Sequence, residues 1–281
     1  MINIIAAEQN RPELWGIHLP RPKEDGNKYD RGHAVIYGGP MYSMGAAKIA
    51  ARCALRCGAG LVSVACDQDA LPVYAASFEA IMTKLTKSTE EFSQLTQDDR
   101  VKSVLVGPGA GVTQQTKEIV LSALKHKKSC VLDADALSVF SDNPQSLFDA
   151  IQFPCILTPH QGEFERLFGK LIHSDDKLLR AKRAASLSHA LIIYKGFNTI
   201  IAAPDGRTVI NTNATPYLAT AGTGDALAGI CVGLLAQGMP AFEAACAAVW
   251  LHAETAAHFG AGLIAEDIAD SLPTILKTIL V

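Results

Sequence analysis

The sequence predicts an α/β protein in which a mostly parallel sheet is covered by helices on both faces, with a short antiparallel hairpin near one edge. Three observations carry that expectation. Short apolar runs alternate with helical patterns along the chain. The runs are apolar at nearly every position rather than every second one, as strands buried on both faces require. Each run also ends in glycine and polar residues.

Taken in order, the runs at 33–37, 61–65, 103–106, 130–132, 155–157 and 190–194 read as the buried strands. Helical patterns fall between them at 45–57, 113–126, 134–140, 161–168 and 176–189, repeating the β-α order from which parallel sheets are built. Segments 198–203 and 207–211 flank Pro204-Asp205-Gly206, a turn-forming triplet, and read as the antiparallel hairpin. Two further helices, 225–237 and 241–258, carry Ala, Leu, Val and Gly on nearly every face, so they are expected to be largely buried. The polar stretch 86–100 reads as an exposed excursion. With no repeat, low-complexity tract or long linker, residues 1–281 are expected to form one domain.

Composition excludes several classes. The chain has 281 residues, 49% hydrophobic and 19% charged, enough for a large core. A net charge of -3 with scattered Lys and Arg gives no basic footprint, so no nucleic-acid partner is expected. The small-apolar stretch 226–236 is about half of a bilayer span, and no membrane association is expected. At the N-terminus, Glu8 and Pro12 interrupt any apolar region of a secretory signal. Seven cysteines without a C-x-x-C pair speak against a disulfide framework or structural zinc, which fits a reducing, cytoplasmic setting. Cys53 and Cys57, four apart on a helix among Ala54, Leu55 and Ala59, read as small core hydrophobes.

The chemistry-bearing segment is A-G-T-G-D, where Gly222, Thr223 and Gly224 lead into Asp225 and an apolar helix. The first amides of a helix lack internal partners and attract anions, and small residues let a phosphate approach them. A carboxylate there can take the proton of an attacking hydroxyl while the amides stabilise the transferring group. The plainer alternative is that Asp225 caps the helix.

Ligands of such sheets bind beyond the carboxyl ends of the strands, where this chain places its other motifs. Strand 33–37 is followed by Gly38-Gly39 and Gly45-Ala46-Ala47, strand 103–106 by Gly107-Pro108-Gly109, and strand 130–132 by Asp133-Ala134-Asp135. Strand 155–157 runs into Thr158-Pro159-His160-Gln161-Gly162-Glu163, and strand 190–194 into Lys195-Gly196-Phe197-Asn198-Thr199. A P-loop is excluded because two alanines separate Lys48 from Gly45 and no Ser or Thr follows it.

In this order the motifs G-G-x-x-x-x-x-G-A-A, A-L-R-C-G-A-G-L-V-S-V, V-G-P-G, L-D-A-D-A-L, L-T-P-H-x-G-E-F, K-G-x-x-T and A-T-x-G-T-G-D resemble the ADP/ATP-dependent NAD(P)H-hydrate dehydratases. The resemblance runs from about Gly32 to Ala257 and corresponds to the stand-alone dehydratase, without a fused epimerase domain. It implies a ribokinase-like three-layer sandwich and the repair of hydrated NADH and NADPH at the expense of ADP or ATP. Ala46, Gly109, His160 and Asp225 would hold the hydrated nucleotide, with Asp225 acting on its hydroxyl. Lys195, Gly196, Phe197, Asn198, Thr199 and Gly224 would hold the adenine nucleotide, with Gly222, Thr223 and Gly224 at the transferring phosphoryl group. Glu163 would organise water around phosphate-bound Mg²⁺, or serve as an ordinary helix-start carboxylate. A homo-oligomer, specifically a tetramer, is also implied.

Several positions stay open. Asp133 and Asp135 could position substrate or metal, though a helix-capping role is preferred for at least one, and Asn213 carries no role. Lys195, at the end of a buried strand, is expected to place its charge in the crevice near phosphate rather than in the core, with a solvated strand-end lysine as the alternative. His252 and His258, flanking Glu254, do not share one helix face and read as structural. Ala221, Gln161 and Ala214 depart from the family's usual residues at the loops, which leaves the preference between ADP and ATP open. A small-molecule kinase of the same superfamily is the main alternative, and His160, where related vitamin kinases tend to carry Asn, favours the dehydratase.

Overall fold

The structure is a computed structural model that describes residues 7–280. The signal-peptide expectation rests partly on residues 1–6, which lie outside the described residues. Ten strands form one sheet: β1 Glu8–Gln9, β2 His33–Tyr37, β3 Leu61–Cys66, β4 Met82–Leu85, β5 Val101–Val106, β6 Ser129–Leu132, β7 Cys155–Leu157, β8 Leu191–Tyr194, β9 Thr199–Ala202 and β10 Thr208–Asn211. The α-helices are α1 Pro12–Trp15, α2 Met44–Arg56, α3 Leu71–Ser77, α4 Thr89–Gln97, α5 Gln114–Leu124, α6 Asp135–Ser138, α7 Pro144–Phe148, α8 Gln161–Phe168, α9 Lys177–Ser188, α10 Thr223–Ala236, α11 Ala241–Phe259 and α12 Ala265–Ile279.

Across the sheet the order is β1-β10-β9-β8-β7-β6-β5-β2-β3-β4. From β8 to β4 every neighbouring pair is parallel, while β8–β9 and β9–β10 are antiparallel. The expected hairpin is therefore one arm of a three-stranded meander, and Lys195–Asn198 is the turn of the other arm. The run at 190–194 is flanked by one parallel and one antiparallel partner, a difference that its uniform apolar character does not record.

Residue parity divides the core. Ala34, Ile36, Val62, Val64 and Leu105 pack on the face covered by α2, α10, α11 and α12. Val35, Ala65, Val104, Val106 and Leu132 pack on the face covered by α4, α5, α6, α8 and α9. The polar 86–100 stretch is not wholly an exposed excursion. It contains α4, started by Ser88 accepting from the Glu91 amide, with Phe92 and Thr96 fully buried.

Helix α10 is apolar on every side because it has no solvent side. It lies on β5 and β6 and is flanked by α2, α11 and α12. Close approach to α2 depends on missing side chains: a Cβ at Gly229 would stand 2.3 Å from the Ala50 carbonyl oxygen, and one at Gly233 2.3 Å from Cys57 Sγ. All seven cysteines are free and buried, and burial pushes the Cys57 thiol up to about 12. Within the described residues, no helix is long and apolar enough to cross a membrane.

Strand order reverses between β2 and β5, since the chain first builds outward through β3 and β4 and then returns. A crevice opens at such a reversal because the loops leaving the two strands run to opposite sides. The glycine-rich segments after β2 and β5 stand there.

Candidate active site

The β2 and β5 segments meet through main chain. Ser43 donates its hydroxyl to the Gly109 carbonyl at 2.6 Å, and a Cβ on Gly109 would lie 2.3 Å from the Ser43 carbonyl oxygen and 3.4 Å from the Ala46 Cβ. Gly109 is also at φ +65, a conformation that disfavours any side chain. Ala46 and Gly109, far apart in sequence, are thus neighbours on one wall.

Beyond β6 the chain turns through Ala134, held at φ +48 and ψ -115. A non-glycine residue in such a conformation costs roughly 1–3 kcal/mol and persists only where surrounding contacts fix it. Here the turn separates two carboxylates. Asp133, almost fully buried, accepts from the Lys195 ammonium at 2.8 Å, and Asp135 accepts from the Gly111 amide at 2.8 Å. Neither side chain caps α6, contrary to the preferred reading, because each is drawn to a different segment.

His160 is the N-cap of α8. Its Nδ1 accepts from the amides of Gly162 and Glu163, while the Glu163 carboxylate accepts from the His160 amide at 2.8 Å, a reciprocal capping box. With Nδ1 accepting, the neutral imidazole carries its proton on Nε2, which stands 3.4 Å from Glu163 Oε1. The ring remains 54% exposed. Glu163 is buried and held by His160, and its other neighbour is the Lys195 ammonium at 3.8 Å. Among the described residues, no group of three His, Cys, Asp or Glu side chains is arranged to hold a metal ion.

Lys195 lines the cavity beside the start of α10, and its ammonium is ion-paired there. Its amide donates to the Pro159 carbonyl, tying the β8–β9 turn to the His160 segment, and its ammonium turns toward Asp133 and Glu163. Burial opposes that charge, but the two carboxylates more than offset it and hold the pKa above the ordinary lysine value. The ammonium therefore bridges the two carboxylates beside the start of α10.

Helix α10 starts at Gly222, which is left-handed at φ +87, and no side chain caps it. Asp225 is the third helical residue, so the capping alternative fails and the first amides are left to solvent or ligand. A Cβ on Gly224 would lie 3.4 Å from Lys195 Nζ, so the lysine ammonium stands beside the first turn of α10. Asp225 is raised to about 7, chiefly by burial, then by the nearby charge of Asp133. Lys195 partly counters this, while Asp135 and Glu163 add to it.

Beside this start lies a cavity of about 320 Å³, bounded by Lys195, Gly196, Phe197, Thr199, Thr223 and Gly224 on one side and by Leu218, Leu227, Val249 and Ala253 on the other. Of the expected nucleotide residues, only Asn198 is not part of its wall. His252 is in the wall, and its Nε2 donates to the Thr223 carbonyl at 2.8 Å. Burial lowers this histidine to about 4 and keeps it neutral, in accord with a structural role. Asn213 accepts from Asn211 and donates to Glu254, while Asn211 accepts from Asn10. This relay holds the 211–215 wall against α11. Sequence reading misses it, because three asparagines spread over the chain carry no local signal.

The arrangement joins a polarised carboxylate, a cluster of uncapped amides and an apolar nucleotide-sized cavity. A family model for NAD(P)H-hydrate dehydratase matches residues 34–278. The chain is 36% identical to a bifunctional NAD(P)H-hydrate repair enzyme of Salinibacter ruber over 91% of its length, but spans only 50% of that relative. It is 35% identical to an ADP-dependent (S)-NAD(P)H-hydrate dehydratase of Neisseria meningitidis serogroup B, covering 88% of this chain and 85% of the relative. Among solved structures, the ADP/ATP-dependent NAD(P)H-hydrate dehydratase of Bacillus subtilis, co-crystallised with ATP and Mg²⁺, superposes with a TM-score of 0.84 at 26% identity. That match covers 98% of this chain and 99% of the other. A ribokinase-like superfamily protein of Enterococcus faecalis superposes with a TM-score of 0.86 at 26% identity, covering 99% and 98%. The match over residues 34–278 takes in Ala46, Gly109, His160, Lys195–Thr199 and Asp225, and the chain belongs to the NAD(P)H-hydrate dehydratase family.

Proposed function

We propose that this chain dehydrates the S epimer of hydrated NADH and NADPH in a reaction driven by ADP or ATP, acting as a hydro-lyase. The observation that carries the reading is the position of Asp225. Its carboxylate, raised to about 7, follows directly on Gly224 in the wall of the cavity and has Asp133 and Lys195 beside it. The Neisseria relative is an ADP-dependent (S)-NAD(P)H-hydrate dehydratase and the Bacillus relative an ADP/ATP-dependent one, which supports the choice of substrates.

On this reading the adenine base enters the apolar cavity and its phosphates point at the amides of residues 222–224. The hydrated nicotinamide nucleotide lies along Ala46, Gly109 and His160 and presents its hydroxyl to Asp225. Asp225 accepts the hydroxyl proton as the oxygen attacks the terminal phosphorus, and the α10 amides stabilise the charge on the transferring group. Hydroxide is a poor leaving group, whereas phosphate is a good one. The ring-nitrogen lone pair expels it, and loss of the neighbouring ring proton restores the reduced nicotinamide. Lys195 keeps Asp133 and Glu163 from adding further repulsion at the developing charge.

Mg²⁺, when bound with the nucleotide, would neutralise phosphate charge. Both Glu163 oxygens face His160, so a direct Glu163–metal bond does not fit, and water-mediated contact is the role left to Glu163. The remaining expectations, one domain over residues 1–281, a homotetramer and a cytoplasmic location, belong to the same proposal, and sedimentation of the purified protein checks the assembly.

The test is to incubate the protein with hydrated NADH and ADP and follow recovery of the reduced-nicotinamide absorbance together with AMP and phosphate. The proposal expects all three in equal amounts. No absorbance recovery with hydrated NADH, together with phosphorylation of a vitamin precursor or sugar, would instead favour the small-molecule kinase alternative.

A further inference from the structure

We infer that Lys177, a residue outside every motif of the sequence, is a positioning residue that staples the Lys195–Asn198 turn into its nucleotide-binding shape. The inference rests on the proposed nucleotide site. Lys177 is the first residue of α9, whose N-cap Asp176 accepts from the amides of Leu178 and Leu179 and so fixes where the lysine emerges. From there its ammonium crosses to the β8–β9 turn. It donates to the Asn198 carbonyl at 2.7 Å and the Lys195 carbonyl at 3.4 Å, the last and first residues of the turn. It also lies 4.7 Å from the centre of the Tyr194 ring, within cation–π range.

The turn is shaped around this ammonium. A Cβ on Gly196 would approach Lys177 Nζ to 2.7 Å, so the glycine leaves the room the lysine occupies. Among the described residues no carboxylate forms an ion pair with Lys177. Half-burial disfavours its charge. Its hydrogen bonds therefore go to main-chain carbonyls of a turn whose Lys195, Gly196 and Phe197 line the cavity. A cation placed in that way fixes backbone, in contrast to Lys195, whose ammonium neutralises carboxylates.

The test compares Lys177→Met and Lys177→Arg with the wild-type protein, measuring the affinities of AMP, ADP and ATP by calorimetry, steady-state kinetics and the melting temperature. Loss of a staple made of charged hydrogen bonds should weaken all three nucleotides by the same factor, roughly tenfold. The KM for ADP should rise with it, while kcat at saturating ADP and the KM for hydrated NADH stay at wild-type values. Arg should restore part of the affinity. A loss that grows from AMP to ATP would overturn the inference, because it would make Lys177 a direct phosphate ligand. Unchanged affinities, or a joint fall of hydrate binding and melting temperature, would also overturn it. If the wild-type protein itself binds no adenine nucleotide, the proposed function falls first, and that result is read before any variant.

Discussion

On the wall at Ala46 and Gly109, two loops meet through backbone, with a serine hydroxyl on a carbonyl and a glycine at φ +65 pressed against the Ser43 main chain. On the wall at Lys195–Thr199, side chains from distant segments do the corresponding work. Lys177 holds the turn, His252 the start of α10, and the Asn10–Asn211–Asn213 relay the far side of the cavity. A backbone-built wall leaves its requirement in the sequence as small residues, because nothing larger fits. A wall built from side chains leaves a scatter of Lys, His and Asn that acquires meaning only when the sheet brings the segments together. On the proposed function, Asp225 stands where the two meet.

The largest expected effect tests that meeting point. Asp225→Asn removes the base while keeping shape, and turnover should fall on the order of 10²–10⁴-fold. Calorimetry should still find adenine nucleotide bound to the folded variant. Near-normal turnover would mean that the two walls do not converge on this carboxylate.

His160 sharpens the contrast, because the proposed function puts it on the hydrate side while the structure makes it the cap of α8. Asparagine is itself a good N-cap, so His160→Asn separates the two roles. The kcat/KM for hydrated NADH should drop roughly ten- to a hundredfold, as expected for one lost hydrogen bond to a charged group, with ADP affinity and melting temperature retained. His160→Ala should add a stability loss of about 1 kcal/mol. Equal weakening of both ligands in the Asn variant would erase the division between the walls.

A smaller effect comes from stability. The carboxyl of Asp225 is raised in the folded state, so between about 4 and about 7 the folded protein binds more protons than the unfolded chain at this group. Its contribution is favourable to folding at low pH and is lost as pH rises through about 7. Without ligands, Asp225→Asn should therefore melt higher than wild type at pH ~8, with the difference shrinking toward pH ~4. Chemical-denaturation curves at the two pH values provide the check, and a destabilised variant at the higher pH would contradict the assignment of strain to this carboxylate.

The same division governs what was legible in advance. Apolar runs marked the central strands, but β4 is only half-buried and β1 is two residues long, so neither carries the pattern of a strand buried on both faces. Helix α12 does carry a helical face in Ile268, Leu272 and Ile275, interrupted by Pro273, which reads as a breaker when packing is unknown. At the site, Gly222–Asp225 and the Gly107–Gly109 turn were visible because they are local. The pairing of Lys195 with Asp133 was not, since the partner lies sixty-two residues earlier, and nor was the staple from Lys177.

The most direct test of the account is the pH dependence of kcat/KM for hydrated NADH at saturating ADP. A base raised to about 7 predicts one acid limb, with activity falling roughly tenfold per pH unit below it and level above it. The residual activity of Asp225→Asn should lack that limb. A wild-type profile flat from pH ~5.5 to ~8, or an unchanged limb in Asp225→Asn, would show that the proton is taken by another group.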